Sequence, residues 1–166
     1  MRVRDLVYGS LLTALSLLIP LAFGNYLRVY LPPFSATLAS HVPVMLAMLV
    51  SPAAAMLVGT GSAIGFLMVM GPVIAARAAV HIVFGLVGAL LVKQGRSFRS
   101  ALLLSAPIHA LGEALVVLPF GFTSYQALVL VGIGTLLHHI ADAAIALLTA
   151  GSLRLGSFFY ARTRHV

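Results

Sequence analysis

Six apolar runs, separated by gaps too short to hold a soluble domain, govern what this chain can fold into. They lie at roughly 6–23, 36–50, 53–70, 73–92, 100–118 and 127–151. A helix that crosses a bilayer needs about 20 mostly apolar residues. A soluble domain carries charge at about a quarter of its positions, whereas only 8% of these 166 residues are charged and 61% are hydrophobic. The runs predict an all-α integral membrane protein, a single transmembrane domain over residues 1–166 built as a compact bundle of six transmembrane helices.

The gaps carry their own signals. Ser51-Pro52 and Gly71-Pro72 read as tight turns, because proline disfavours helix at the residue before it. The second run is short and contains Pro43, which allows a tilt or a break. The N-terminal Met1-Arg2-Val3-Arg4 followed by an apolar run resembles a signal peptide. The run nevertheless reaches Phe23 without a small-x-small cleavage site, so it reads as the first span.

Charge decides orientation. With six spans, one side holds Arg2, Arg4, Lys93, Arg96, Arg99, Arg154, Arg162 and Arg164, and the other side holds Arg28. The positive-inside rule then predicts both termini in the cytoplasm, in a multi-pass protein of a bacterial cell membrane. The net charge of +7 does not indicate nucleic acid, because the basic residues fall between apolar runs and not on an aromatic-rich basic surface. There is no cysteine, which excludes disulfides and thiolate metal sites.

Orientation gives each polar residue within a span a depth. His41, Arg77 and Glu113 each fall about five residues from the outer end of their span, roughly 7–8 Å deep at the helical rise. His81 and His109 lie one turn deeper, at i,i+4 from Arg77 and Glu113. Two antiparallel helices thus present Arg77 opposite Glu113 and His81 opposite His109. The last span adds His138, His139 and Asp142, with His138 and Asp142 on one face. Asn25, Tyr26 and Tyr125 fall in the outer loops, where tyrosine could close over a ligand or simply sit at the interface.

Charged groups in lipid cost at least about 2.5 kcal/mol each, so they usually face the bundle interior and mark a site. An arginine at this depth can instead snorkel to the interface, and Glu113 can be only its counter-ion. A guanidinium among imidazoles and tyrosines suits a small planar anion, its carboxylate on Arg77 and its ring on aromatic or imidazole faces. There is no H-E-x-x-H, no G-x-S-x-G and no cysteine nucleophile, so the chain does not read as an enzyme. Two other classes stay open. One is a stand-alone proton-coupled transporter using Glu113 or Asp142. The other is a haem or metal protein using histidines from several helices. The charged neighbours of those histidines favour a solute pocket, and no metal or cofactor is expected in this chain.

A second pattern is built of small residues. Ser10 and Ala14 in the first span, and Ala55, Gly59 and Ser62 in the third, are spaced so that another helix can approach closely. That helix can belong to the bundle or to a partner protein. The run VSPAAAMLVGTGSAIGF, residues 50–66, resembles the Gly/Ser-Pro-x-x-small-x-x-x-Gly segment of the substrate-binding S components of energy-coupling factor transporters. Ser51 stands where many members have glycine, and Ser10-x-x-x-Ala14 is a looser form of an alanine pair common in their first span. The segment covers about 20 residues, while the likeness of architecture extends over the whole chain.

The resemblance implies a binding subunit. S components take up a vitamin in a pocket near the outer face and dock through spans one to three on a transmembrane coupling subunit. That subunit rests on two cytosolic ATPases, and the S component topples in the membrane to release its cargo. ATP would be used by those partners, since this chain has no Walker A sequence. ASHVPVMLAMLVSP and AARAAVH are similar to the niacin-type members, in which Arg77 would suit the nicotinate carboxylate. Pantothenate, folate and other vitamins are the alternatives. Residues 1–3 do not match the N-terminal histidine sequence of the metal-transporting members.

Overall fold

The computed structural model describes residues 2–24 and 26–153; Asn25, Arg154, Arg162 and Arg164 lie outside them. Five apolar segments among the described residues are long enough to cross a membrane: Val3–Phe23, Pro52–Met70, Pro72–Lys93, Phe98–Phe120 and Gln126–Ser152. They contain α1 (Val3–Leu18), α3 (Pro52–Met70), α4 (Pro72–Lys93), α5 (Phe98–Val116) and α6 (Gly134–Ser152). The first continues as a π-helical turn over Ile19–Phe23, and α6 is preceded by π-helical Gln126–Ile133.

The second expected span differs. Residues 36–50 form no membrane-long helix. Arg28–Leu31 (β1) and Phe34–Thr37 (β2) make an antiparallel hairpin that turns at Pro32-Pro33 and pairs Arg28 with Thr37 and Leu31 with Phe34. Turns then lead into a helix of only six residues, Val42–Ala47 (α2). The passage is nevertheless a crossing. Gly9 of α1 lies on Ala54 of α3, Gly61 on Thr13 and Gly65 on Leu17, so α1 and α3 run parallel. The chain must return from Phe23 at one end of the bundle to Pro52 at the other. Every residue from Ser40 to Val50 is buried. Irregular backbone is tolerated at membrane depth only where protein covers it, and here α1, α3, α4 and α6 provide that cover.

Caps and close approaches fix the helix pairs. Ser51 Oγ accepts the Ala54 N–H at 3.2 Å, and Pro52 occupies the first helical position of α3. Replacing Ser51 with alanine is expected to lower stability by about 1 kcal/mol, read as a small drop in melting temperature in detergent with the fold retained. At the other end of α3, Gly71 adopts φ 81° and Pro72 starts α4, which makes the reversal as tight as the sequence indicates.

The small residues of α3 serve two faces. Gly61 and Gly65 receive α1, while Gly59 receives the backbone of α4 at Ile82 and His81. Ala55, Gly59 and Ser62 are buried, so their small size is used inside the bundle. Ser10 and Ala14 remain on the exposed face of α1.

Candidate functional site

The site lies where the hairpin meets α4, α5 and α6. Arg77 of α4 is only 5% exposed and does not snorkel. Its Nε donates to Oε2 of Glu113 on α5 at 2.8 Å, its Nη2 forms an ion pair with the same oxygen at 2.7 Å, and its Nη1 donates to the Ser35 carbonyl at 3.1 Å. The guanidinium also lies 5.2 Å from the centre of the Phe34 ring. Thr135 Oγ1 of α6 donates to the same Glu113 Oε2 at 2.6 Å. One carboxylate oxygen thus takes three donors, and Oε1 is left facing imidazoles: His109 Nε2 at 3.2 Å and His81 Nε2 at 3.9 Å.

Below this pair the histidines gather. His41, at the start of α2, has its ring centroid 4.6 Å from that of His81, 4.4 Å from His109 and 4.4 Å from His138. His81 Nδ1 meets Ser62 Oγ at 2.9 Å. His109 Nδ1 meets His139 Nδ1 at 3.0 Å, and His139 Nε2 donates to the Leu102 carbonyl at 3.0 Å. Pro107, inside α5, removes one rung of the helix ladder near that carbonyl. Phe84 stacks on His109 with centroids 4.2 Å apart and closes the cluster from below.

Asp142, fully buried, has a backbone task. Its Oδ1 accepts the Ala39 N–H at 2.8 Å and its Oδ2 the His41 N–H at 3.0 Å, which holds the turn where Ala39 takes φ 68°. His138 Nε2 lies 3.3 Å from Oδ2 and donates to the Thr37 carbonyl at 3.1 Å. Replacing Asp142 with alanine leaves two buried N–H groups without acceptors, at about 1–3 kcal/mol each. The expected result is a melting temperature lowered by several degrees and faster proteolysis within the hairpin. An unchanged melt and digest would remove this capping role.

A cavity of about 30 Å³ lies between β2, the C-terminal half of α3 and the N-terminal half of α4, bounded by Ser35, Thr37, His41, Phe66, Arg77 and His81, with Glu113 and His138 also on its wall. That is room for about two waters. The ionisable residues singled out inside the spans come together: Arg77, Glu113, His81, His109, His41, His138, His139 and Asp142 form one connected cluster. The loop tyrosines do not. Tyr26 is 85% and Tyr125 65% exposed, and neither lines the cavity. Next to Tyr125, Thr123 and Gln126 exchange side-chain to backbone hydrogen bonds as a capping box.

Sequence reasoning missed Thr135 and the Ser35 carbonyl, and gave Ser62 a place in the small-residue docking face where it instead meets His81. Thr135 sits one turn before His139 on the same face, which was its one signal. Two groups of side chains have cation-ligand spacing: His41, His81, His109 and Glu113, and separately His41, His138 and Asp142.

No family model matches the chain, and no solved structure matches it. Among characterised proteins it is similar to the niacin transporter NiaX of Lactococcus lactis subsp. cremoris (strain MG1363). The two are 34% identical over 163 residues, covering 88% of this chain and 72% of the transporter.

Proposed function

This chain belongs to the niacin-type S components of energy-coupling factor transporters, and on that premise we propose that it captures nicotinate in the cavity beneath the hairpin. It is a transport subunit of a bacterial membrane and not an enzyme. The observation that carries the substrate is the pairing of that similarity with a buried guanidinium on the cavity wall.

In this reading the hairpin is the cover. When it lifts, Arg77 loses the Ser35 carbonyl, and Nη1 turns to the ligand carboxylate at the cost of one hydrogen bond and the gain of a charge-assisted one. Glu113 stays held by Thr135 and keeps the guanidinium oriented. The pyridine ring lies against Phe66 and the imidazoles of His41 and His81, which border the same space. The arginine and lysine distribution supports cytoplasmic termini, and so an outward-facing cavity. Release inward would use a transmembrane coupling subunit and two ATPases, with Ser10 and Ala14 on the exposed α1 face available for docking.

The test is native mass spectrometry of the purified chain with nicotinate, nicotinamide, pantothenate and folate. Nicotinate is expected to bind, and nicotinamide, which lacks the carboxylate, to bind far more weakly. Equal binding of the acid and the amide would reject the Arg77–carboxylate contact, and selective pantothenate or folate binding would reject the niacin reading. Uptake into vesicles by the chain alone, driven by a proton gradient, would reject dependence on a coupling module.

A further inference from the structure

The hydrogen bonds of the histidine cluster do not close with neutral rings. The chain of contacts runs from the Leu102 carbonyl through His139 and His109 to Glu113 Oε1. Both of its ends only accept. Each of the three contacts needs a proton, and two neutral imidazoles supply one each. If His139 Nε2 donates to Leu102, its Nδ1 accepts from His109 Nδ1, and His109 Nε2 then points a bare lone pair at a carboxylate oxygen 3.2 Å away. With Glu113 ionised beside Arg77, a cation completes this contact.

We infer that the cation is a single divalent transition-metal ion of the zinc class, bound by His41, His81, His109 and Glu113. Four observations favour a metal over a third ring proton. The four ligand atoms, from three separate elements, lie within 4.8 Å of one another, and all four residues are buried. A proton bridges two atoms, and a tetrahedral metal gathers four. The outer nitrogens of two of the rings already have partners, Ser62 for His81 and His139 for His109, as metal-bound imidazoles usually do. Glu113 Oε1 is spared by Arg77 and Thr135, which both use Oε2. His41 Nδ1 has no hydrogen bond, although Asp142 Oδ2 lies 3.0 Å away, so this ring is not committed to another partner.

The alternative group of His41, His138 and Asp142 fits a metal less well. His138 Nε2 is committed to Thr37, and both Asp142 oxygens accept backbone N–H groups. Three imidazoles and one carboxylate suit zinc, cobalt or nickel better than magnesium or calcium. This departs from the sequence expectation of a metal-free chain.

The ion would also answer an electrostatic problem in the nicotinate reading, on which this paragraph rests. At formal charges, Arg77 against Glu113 and Asp142 leaves the region with one net negative charge, which repels an anion. A divalent cation makes it one net positive, on the wall of the cavity that His41, His81 and Glu113 line.

The experiment uses the full chain purified without a polyhistidine tag. Elemental analysis by plasma mass spectrometry is expected to find about one zinc-class ion per chain. Chelator-stripped protein is expected to take up Co2+ with the intense visible bands of four-coordinate cobalt, and to melt higher when Zn2+ is added. His109→Ala and His81→Ala should lose the ion and His138→Ala should keep it. The reverse pattern would overturn this ligand set. Folded wild-type chain that takes up none of Zn2+, Co2+ or Ni2+ would overturn the metal outright, whatever the variants do. Nicotinate binding by stripped protein is expected to be at least about tenfold weaker and restored by metal. Undiminished nicotinate binding without a metal overturns this inference alone, and metal uptake without nicotinate binding overturns the substrate reading alone.

Discussion

Arg77→Ala is expected to abolish nicotinate binding and to destabilise the protein at the same time. The side chain gives one hydrogen bond and a close ion pair to one buried carboxylate oxygen and one hydrogen bond to the Ser35 carbonyl. Removing it leaves Glu113 charged, buried and short of donors, which costs about 3–5 kcal/mol and should lower the melting temperature by about 10 °C. Affinity should fall about a hundredfold or more, as for other buried charge pairs that lose one partner. Loss of binding in the single variant is therefore ambiguous between a missing contact and a damaged fold. The double variant Arg77→Met with Glu113→Leu removes the uncompensated charge, and because it also removes a ligand of the inferred ion, its decisive outcome is retained binding. It removes both charges at similar volume, so most of the stability is expected to return. Binding is not. If the double variant melts like wild type and binds nicotinate like wild type, Arg77 does not touch the ligand.

Gly59→Val is the second large effect. A Cβ at Gly59 would stand 2.7 Å from the Ile82 nitrogen, 2.8 Å from its Cα and 2.9 Å from the His81 carbonyl carbon. These are backbone atoms, so no rotamer change relieves the clash, and α3 and α4 must separate. Overpacking of this kind costs about 3 kcal/mol or more. It also moves His81 away from Ser62, so nicotinate affinity should drop with stability. Gly88→Ala provides the contrast. Its Cβ would meet only the Met48 side chain, which can swing aside, and the cost should stay below about 1.5 kcal/mol. Equal melting temperatures for the two variants would mean that α3 and α4 are not locked at Gly59.

Much of this was legible in the sequence because lipid imposes simple rules. The expected spans 53–70 and 73–92 agree with α3 and α4 to within a residue at each end, since Ser51-Pro52 and Gly71-Pro72 leave little freedom. The Arg77–Glu113 pair was legible from equal depth on antiparallel helices. The hairpin was not, because its outer strand is fully exposed and its inner strand mostly buried, which leaves no alternating pattern to read. Nor was the irregularity of residues 36–50, for hydropathy measures distance from water and cannot tell burial in lipid from burial in protein. Beyond the place of Thr135 one turn before His139, the hydroxyls of Thr135 and Ser62 carried no signal of their partners. Such residues are ordinary between membrane helices, and only the coordinates show that they aim at Glu113 and His81.

The wrapped passage from Ser40 to Val50 bears on how the protein is made. A ribosome delivers this segment before most of the helices that will enclose it, and its turns expose amide groups that acyl chains cannot solvate. It cannot rest in the bilayer on its own. α6, which emerges well after this segment, carries Asp142, the residue that ties down Ala39 and His41. Biogenesis thus depends on a late clamp, and a nascent chain stopped before α6 should present quality-control proteases with an unsealed seam.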